Sequence, residues 1–396
     1  MAAGSLAILL SSCAAIKAPK TLFFTFGAPQ EHFESETKQI RSFLNTNFEA
    51  FQDANPDTTI FLISYPSSQF FNQIEADDRL NFGPDLIIID SRTSSELLAR
   101  NLTTELPKQK YWDSIYSPRI QSRARTTNGY TFAPWIINTQ IACFDKTKIE
   151  ASPKTTEDLE ALSASGKKIG LASNPVELIW TAGTQGAMSE LSSLGSEVTA
   201  RPSYPSIQKW LQWLQRAALY QNISFHKEAR ELAKKLKENE LNWVTCWGSQ
   251  LRELKQAMGN RLGVAALPNG PTSKASPYFF IYGFSLGRNS SPTQRRMAMK
   301  FIRTNVNPIA QRKLQLENVG WLAANNNVSI PPESSKELAA LNSSFNEQNK
   351  SYFKEWPGLI SYGEKSPQFH RALENLINGY LNANEALEMI TKPHTE

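Results

Sequence analysis

The chain has 396 residues, 40% of them hydrophobic and 20% charged, with a mean hydropathy of −0.40. That length is two to three times a typical domain, and the composition excludes a disordered chain and a polytopic membrane protein. Lys and Arg number 42 against 37 Asp and Glu, a net charge of +5, and without a dense basic stripe that is no nucleic-acid footprint. Three cysteines with no CxxC argue against a disulfide framework or a zinc–cysteine site.

Residues 2–12 (AAGSLAILLSS) are uncharged and apolar. The run is far short of the ~20 apolar residues that span a bilayer, and it has the length of a signal-peptide hydrophobic region. Leu10-Ser11-Ser12-Cys13 resembles the bacterial lipobox, although no Lys or Arg precedes the apolar run. Residues 1–12 are therefore expected to be a signal peptide and Cys13 a lipidated N-terminus. One acyl chain holds a protein only marginally, so a stable anchor needs several.

Lys20 to Phe26 reads as a first strand, and 32–54 as a helix with Phe33, Ile40, Phe43, Leu44, Phe48 and Phe51 on one face. Strands follow at 59–64 and 86–90, the latter apolar throughout, as a strand covered on both faces should be. A helix at 94–100 continues a strand–helix rhythm that argues for an α/β unit with a parallel sheet. A long β-like stretch at 130–144 is interrupted by Pro134. Cys143 and Cys246 lie in apolar strand sequence and read as inert core thiols, although export would let them pair. A strand at 168–172 precedes helices at 176–194 and 206–219. Residues 227–238 (KEARELAKKLKE) form a charged amphipathic helix whose i,i+4 pairs read as a solvated face. A strand at 241–247 and a helix at 249–258 lead to PNGPTSKASP (268–277), the most Pro/Gly/Ser-rich window and a natural inter-lobe connection. A strand at 278–286 and helices at 293–304, 307–317, 333–341 and 366–378 complete the chain.

Gly283-Phe284-Ser285-Leu286-Gly287 fits the G-x-S-x-G pattern of a hydrolase nucleophile elbow, with His370 as base and, since no Asp follows Asp158, a Glu as acid. An elbow needs a helix directly behind the serine; here the strand runs on, and a strand serine beside permissive glycines is the simpler reading. His32 and Glu36, and His370 and Glu374, stand at i,i+4 and could hold zinc on a helix face, or could be ordinary surface contacts. Phosphate-binding and dinucleotide glycine loops are absent from the sequence, which argues against a nucleotide enzyme. Nine tryptophans offer flat platforms for sugar faces, or core filler.

Six segments in order then carry a resemblance: FEAFQDANPDTTI, GPDLIIIDS, NGYTFAPWIINTQIACFDKTKIEASPKTTEDLEAL, NWVTCWGS, LGVAALPNGP and FSLGRNS. They cover most of residues 20–330 and resemble the extracellular solute-binding proteins of ABC importers, family 1, the maltose-binding-like group. The resemblance implies a two-lobed α/β fold of the periplasmic-binding type, each lobe a mixed, mainly parallel sheet flanked by helices, with the ligand cleft at the hinge. It places residues 13–135 with 276–326 in one lobe and 136–275 with 327–396 in the other. It implies a binding protein without enzymatic activity, monomeric and anchored outside the cytoplasm, that delivers a sugar or glycoside to a permease and its ATPase, with no nucleic acid involved. By position, the ligand residues would be Gln30, His32, Ser91, Arg92, Trp135, Asn138, Glu177, Trp180, Trp247 and Tyr282. No cofactor is implied, and zinc at His32 and Glu36 is the one metal left open. Arg92 and Asn138 stand where the family's sugar binders often carry acids, so a phosphorylated or anionic sugar is a live alternative. Arg119, Arg123 and Arg125 precede the crossover strand; a solvated hairpin is the reading for Arg119 and Arg123. A secreted serine or glycoside hydrolase is the remote alternative.

Overall fold

The protein is described by a computed structural model, covering residues 20–27, 34–108, 110–194, 203–331, 334–346 and 366–392. The signal-peptide and lipidation readings at 1–12 and Cys13 lie outside these residues, as do Gln30 and His32.

The first half of the chain alternates strands and helices: β1 (Lys20–Phe26), α1 (Glu34–Asp53), β2 (Thr58–Ser64), α2 (Phe70–Arg79), β3 (Leu86–Asp90), α3 (Ser91–Ala99). Short strands β4 (Thr103–Thr104) and β5 (Leu106–Pro107) precede α4 (Lys110–Ile115), α5 (Pro118–Ala124), β6 (Gly129–Tyr130) and the long β7 (Ala133–Asp145). The second half holds α6 (Thr156–Ala164), β8 (Ile169–Ala172), α7 (Pro175–Thr184), α8 (Met188–Leu194), α9 (Pro205–Leu219), β9 (Ile223–His226), α10 (Ala229–Lys237), β10 (Trp243–Trp247), α11 (Leu251–Met258) and β11 (Leu262–Ala265). The chain then returns through β12 (Phe279–Gly287), α12 (Pro292–Val306), α13 (Pro308–Glu317), β13 (Leu322–Ala323), α14 (Lys336–Asn346), α15 (Pro367–Ile377) and α16 (Ala383–Thr391).

Helix starts follow local chemistry. Ser117, Asn174, Ser291, Asn307 and Ser366 each cap a helix through a side-chain oxygen and are followed at once by proline, whose missing N–H costs nothing at that position. In α10 the apolar Ala229, Leu232, Ala233 and Leu236 turn inward and the charges turn out.

The strands run β2-β1-β3-β12-β7-β10-β8-β9, with β4 on β12 and with β11 and β13 on β7. The outer strands β2-β1-β3 and β10-β8-β9 pair in parallel, whereas β12 and β7 cross between them antiparallel to their neighbours. The molecule is thus two α/β lobes sharing β7: residues 133–139 pair with β12, and residues 140–145 with β10 and β11. All thirteen β7 residues are buried. One core is continuous from Phe24 and Phe301 in the first lobe through Trp321 to Leu251 and Met258; a second lies under α7, α9 and α15.

Two expectations are corrected here. Pro134 does not interrupt the strand. The register against β12 slips there, Pro134 facing Gly283 and Ile136 facing Tyr282, so Trp135 is the extra residue of a bulge that absorbs the missing donor. Nor are Cys143 and Cys246 inert thiols: they form a disulfide between β7 and β10, with Cα atoms 5.9 Å apart and a sequence separation of 103. Because Cys143 stands opposite Val244 in the ladder, Cys246 is its diagonal neighbour on the same face. Closing a loop of that length constrains the unfolded chain strongly. Replacing both cysteines by alanine is expected to lower the unfolding free energy by about 2–5 kcal/mol. Urea titration checks this, and a variant as stable as the parent would mean that the bond does not form.

Candidate functional site

Three polar residues, Asn138-Thr139-Gln140, sit in the middle of β7, where it passes from one lobe to the other, and all three are fully buried. Buried amides must be paired, and their partners define the site. Asn138 donates to Ser249 Oγ at 3.0 Å and accepts from the Ser249 amide at 3.0 Å. Ser249 in turn accepts, through its carbonyl, from Gln39 Nε2 at 2.7 Å, and the Trp321 indole donates to Gln39 Oε1 at 2.9 Å. Gln140 donates to the Glu177 carbonyl at 3.0 Å and accepts from the Tyr278 amide at 2.8 Å. The crossover thereby fixes α1, α7, the turn after β10 and the start of β12 relative to one another.

Around that crossover the rings of Trp247, Tyr278, Phe280, Tyr282 and Trp321 form a chain of contacts, with centroids 5.0–6.3 Å apart. On the second-lobe side stands Glu177, in the first turn of α7 and fully enclosed. Burial pushes its carboxyl up to about 8. The Trp247 indole and the Ala229 amide face the group and oppose the shift, yet Oε2 closes no hydrogen bond of good geometry. On the first-lobe side, Asp90 caps α3 by accepting from the amides of Arg92 and Thr93, and so sets Arg92 at the helix start.

Arg92, Asp90 and Arg123 all lie within electrostatic reach of the Tyr278 hydroxyl, to which Arg123 is hydrogen-bonded. The solvated-hairpin reading of Arg119 and Arg123 is corrected. Both belong to α5, and the Arg119 guanidinium packs 4.2 Å from the centroids of Phe279 and Phe345 while that of Arg123 packs 4.7 Å from Phe279. Such stacking stabilises each by about 0.5–2 kcal/mol. Desolvation pulls Arg123 down to about 10 and lowers Arg119 as well, the two cations adding to each other's strain. The Arg123 stem keeps some exposure, but its Nη2 is enclosed.

The other expected residues fall as follows. Ser91 opens α3 beside Arg92, with its carbonyl accepting from the hydroxyls of Ser94 and Ser95. Trp135 packs into the first core against Phe43 and Phe284, and Trp180 is enclosed in the second, so neither presents a ring face to a cleft. The eight described tryptophans are each at most 1% exposed, Trp356 lying outside the described residues. Ring contact at the crossover comes instead from Tyr278, Phe280 and Tyr282, of which Phe280 is the least enclosed, with Trp247, buried like Trp180, behind them. Tyr278 and Phe280 were legible only as strand sequence, and their place directly after the Pro/Gly/Ser-rich 268–277 window was the signal available.

The elbow pattern has a structural explanation. A Cβ on Gly283 would come within 2.1 Å of the Ala133 carbonyl oxygen, and one on Gly287 within 1.7 Å of that of Pro84, so both glycines serve close strand approach. Ser285 is fully buried mid-strand and donates to the Thr131 carbonyl, while His370 is on α15, packed against α9 in the other lobe. Among the described residues no three His, Cys, Asp or Glu side chains gather to hold a metal. Glu36 is in α1, with its His32 partner outside the described residues.

This architecture can be compared with known proteins. The model of the bacterial extracellular solute-binding protein matches residues 47–341, about three-quarters of the chain. The chain belongs to that family. It is a binding protein, not an enzyme. Structurally, this solute-binding protein is similar to the GacH receptor of Streptomyces glaucescens, solved unliganded and with acarbose (TM-score 0.74, 13% identity, covering 94% of this chain and 97% of that one). It is similar also to a solute-binding protein of Thermotoga lettingae bound to α-D-tagatose (0.70, 13%, 94% and 98%). The maltose/maltodextrin-binding domain of Bdellovibrio bacteriovorus, bound to maltotriose, is comparable (0.70, 16%, 94% and 97%). No curated protein sequence matches significantly. No helix among the described residues is long and apolar enough to cross a membrane.

The raised Glu177 carboxyl has a measurable consequence for this solute-binding protein. Between about pH 4.5 and 8 the unfolded chain has lost this proton while the folded chain keeps it, so stability falls as pH rises through that window and levels off above it. Glu177→Gln should flatten the slope and raise stability at pH 8 by on the order of a few kcal/mol. Urea unfolding from pH 5 to 9 is the measurement, and an unchanged slope would show the folded carboxyl to be ionised.

Proposed function

We propose that this protein is the sugar-capturing receptor of an ABC importer, held outside the cytoplasm by lipid on Cys13, and that it delivers a sugar or glycoside to the membrane permease and its ATPase. The observation that carries the reading is the meeting of an aromatic stripe with hydroxyl-bonding groups where two lobes share one strand. Phe280 and Tyr282 offer ring edges there, with the enclosed Trp247 packed behind Phe280, and Glu177, Arg92 and Tyr278 offer polar partners, the mix that sugar faces and hydroxyls require. A Glu177 that is neutral near pH 7 both donates and accepts, which suits a hydroxyl. The oligosaccharides and sugars bound by the structurally similar proteins support the same reading. Ligand contacts available only when the lobes close would shift the protein towards its closed state.

A second reading has its own observation. Arg92, Arg119 and Arg123 gather at one end of the aromatic stripe, two of them desolvated, and guanidinium groups grip phosphate or carboxylate in pairs. An anionic sugar would engage that end and a neutral one the rings.

Thermal unfolding of the mature chain with maltotriose, acarbose, tagatose, glucose 6-phosphate and glucuronate separates the two. A bound ligand at 100 times its Kd adds about 2.7 kcal/mol of stability. Shifts with neutral sugars that persist in Arg92→Gln support the first reading. Shifts confined to the anionic sugars and weakened at least tenfold in affinity by Arg92→Gln support the second, and no shift with any of them removes the sugar assignment.

A further inference from the structure

A groove of about 520 Å3 opens between α1 of the first lobe and α10 and α11 of the second. Among the described residues its charged lining is one-sided: Lys38, Arg230, Lys234, Lys237 and Arg252 against one carboxylate, that of Glu253, which is ion-paired to Lys237. Arg230, Lys234 and Lys237 stand at i, i+4 and i+7, one face of α10. Gln39 and Gln250 complete the wall with their amides committed to Ser249, Trp321, Ala229 and Trp247.

Local helix physics accounts for part of this charge and not the rest. Lys234 and Lys237 lie in the last turn of α10, where the helix dipole favours cations. Arg230 is the second residue of α10, where the same dipole disfavours it, whereas Arg252 lies one turn inside a helical run that begins at Gly248. Both arginines border the same cavity. The Arg252 guanidinium donates to Asn318 Oδ1 at 2.8 Å. Lys234 and Lys237 are each ion-paired, to Glu238 and Glu253, so among the described residues cations around this concavity still outnumber carboxylates, and the end of α10 that disfavours Arg230 favours an anion.

We propose that this groove binds a compact multivalent oxyanion of the phosphate type, at a site separate from the sugar cleft. The occupant touches α1 on one lobe and α10 and α11 on the other, so it ties the two together. Arg230 and Arg252 supply forked donors, and the lysines supply point charges.

The test is isothermal titration of the mature chain with tripolyphosphate and with inorganic phosphate at 20 and 150 mM NaCl, without sugar. The expected result is one saturable site for tripolyphosphate, weaker at the higher salt. The affinity should fall at least tenfold in Arg230→Gln with Lys234→Gln and again in Arg252→Gln, and should hold in Arg296→Gln with Arg312→Gln, a pair of exposed arginines elsewhere. Equal weakening by both double variants would reduce the effect to net charge and overturn the proposal. So would the absence of a saturable site, or binding of polyglutamate alone, which would make the groove a contact for an acidic protein. None of these outcomes depends on the sugar assignment, because no sugar is present.

Discussion

The structure depends on one strand being shared. β7 contributes its first half to one lobe's sheet and its second half to the other's, and it is buried along all of its thirteen residues. An apolar strand would satisfy burial alone. Asn138, Thr139 and Gln140 instead place three polar side chains where no water can serve them, so each must find a protein partner. The partners they find are Ser249, Tyr278 and Glu177, drawn from separate parts of the chain. The groups around the crossover are therefore held by the hydrogen-bonding demands of three consecutive residues.

The electrostatics around that constellation follow from the same burial. Glu177 is held neutral near pH 7 by desolvation, whereas Arg119 and Arg123, also desolvated, stack on aromatic rings, and Arg123 is further supported by the Tyr278 hydroxyl and the charge of Asp90. The two lobes thus differ in character near the crossover, with a protonated acid on the second and guanidinium groups on the first.

Much of the fold was legible because it rests on local rules. The apolar LIIID run of β3, the one-sided helix α1 and the Ser-Pro and Asn-Pro helix starts are short-range signals, and the six ordered segments carried the family. What was not legible depends on long-range contact. Sequence spacing does not say which cysteines pair, since Cys143 and Cys246 become neighbours only through the β7–β10 ladder. SPRIQSRARTTNG looks solvated because charges and an Asn-Gly turn dominate it, yet Ser117 caps a helix whose arginines reach Phe279 and Phe345, more than 150 residues on. Helix α2 was passed over because Phe70, Ile74 and Asp78 are its only buried positions, too sparse a stripe to stand out. The tryptophans could be counted but not oriented, so core rings such as Trp135 and Trp180 were indistinguishable from cleft rings.

The enclosure of those tryptophans also determines how the protein can be watched. Every described indole lies inside a core, so emission should be blue and poorly accessible to aqueous quenchers in the free protein. Trp247 abuts a carboxyl, that of Glu177, whose protonation alters the field at the ring. The chain thus carries its own optical probe of the cleft's charge state, set against a background of indoles that report on the lobes and not on what lies between them.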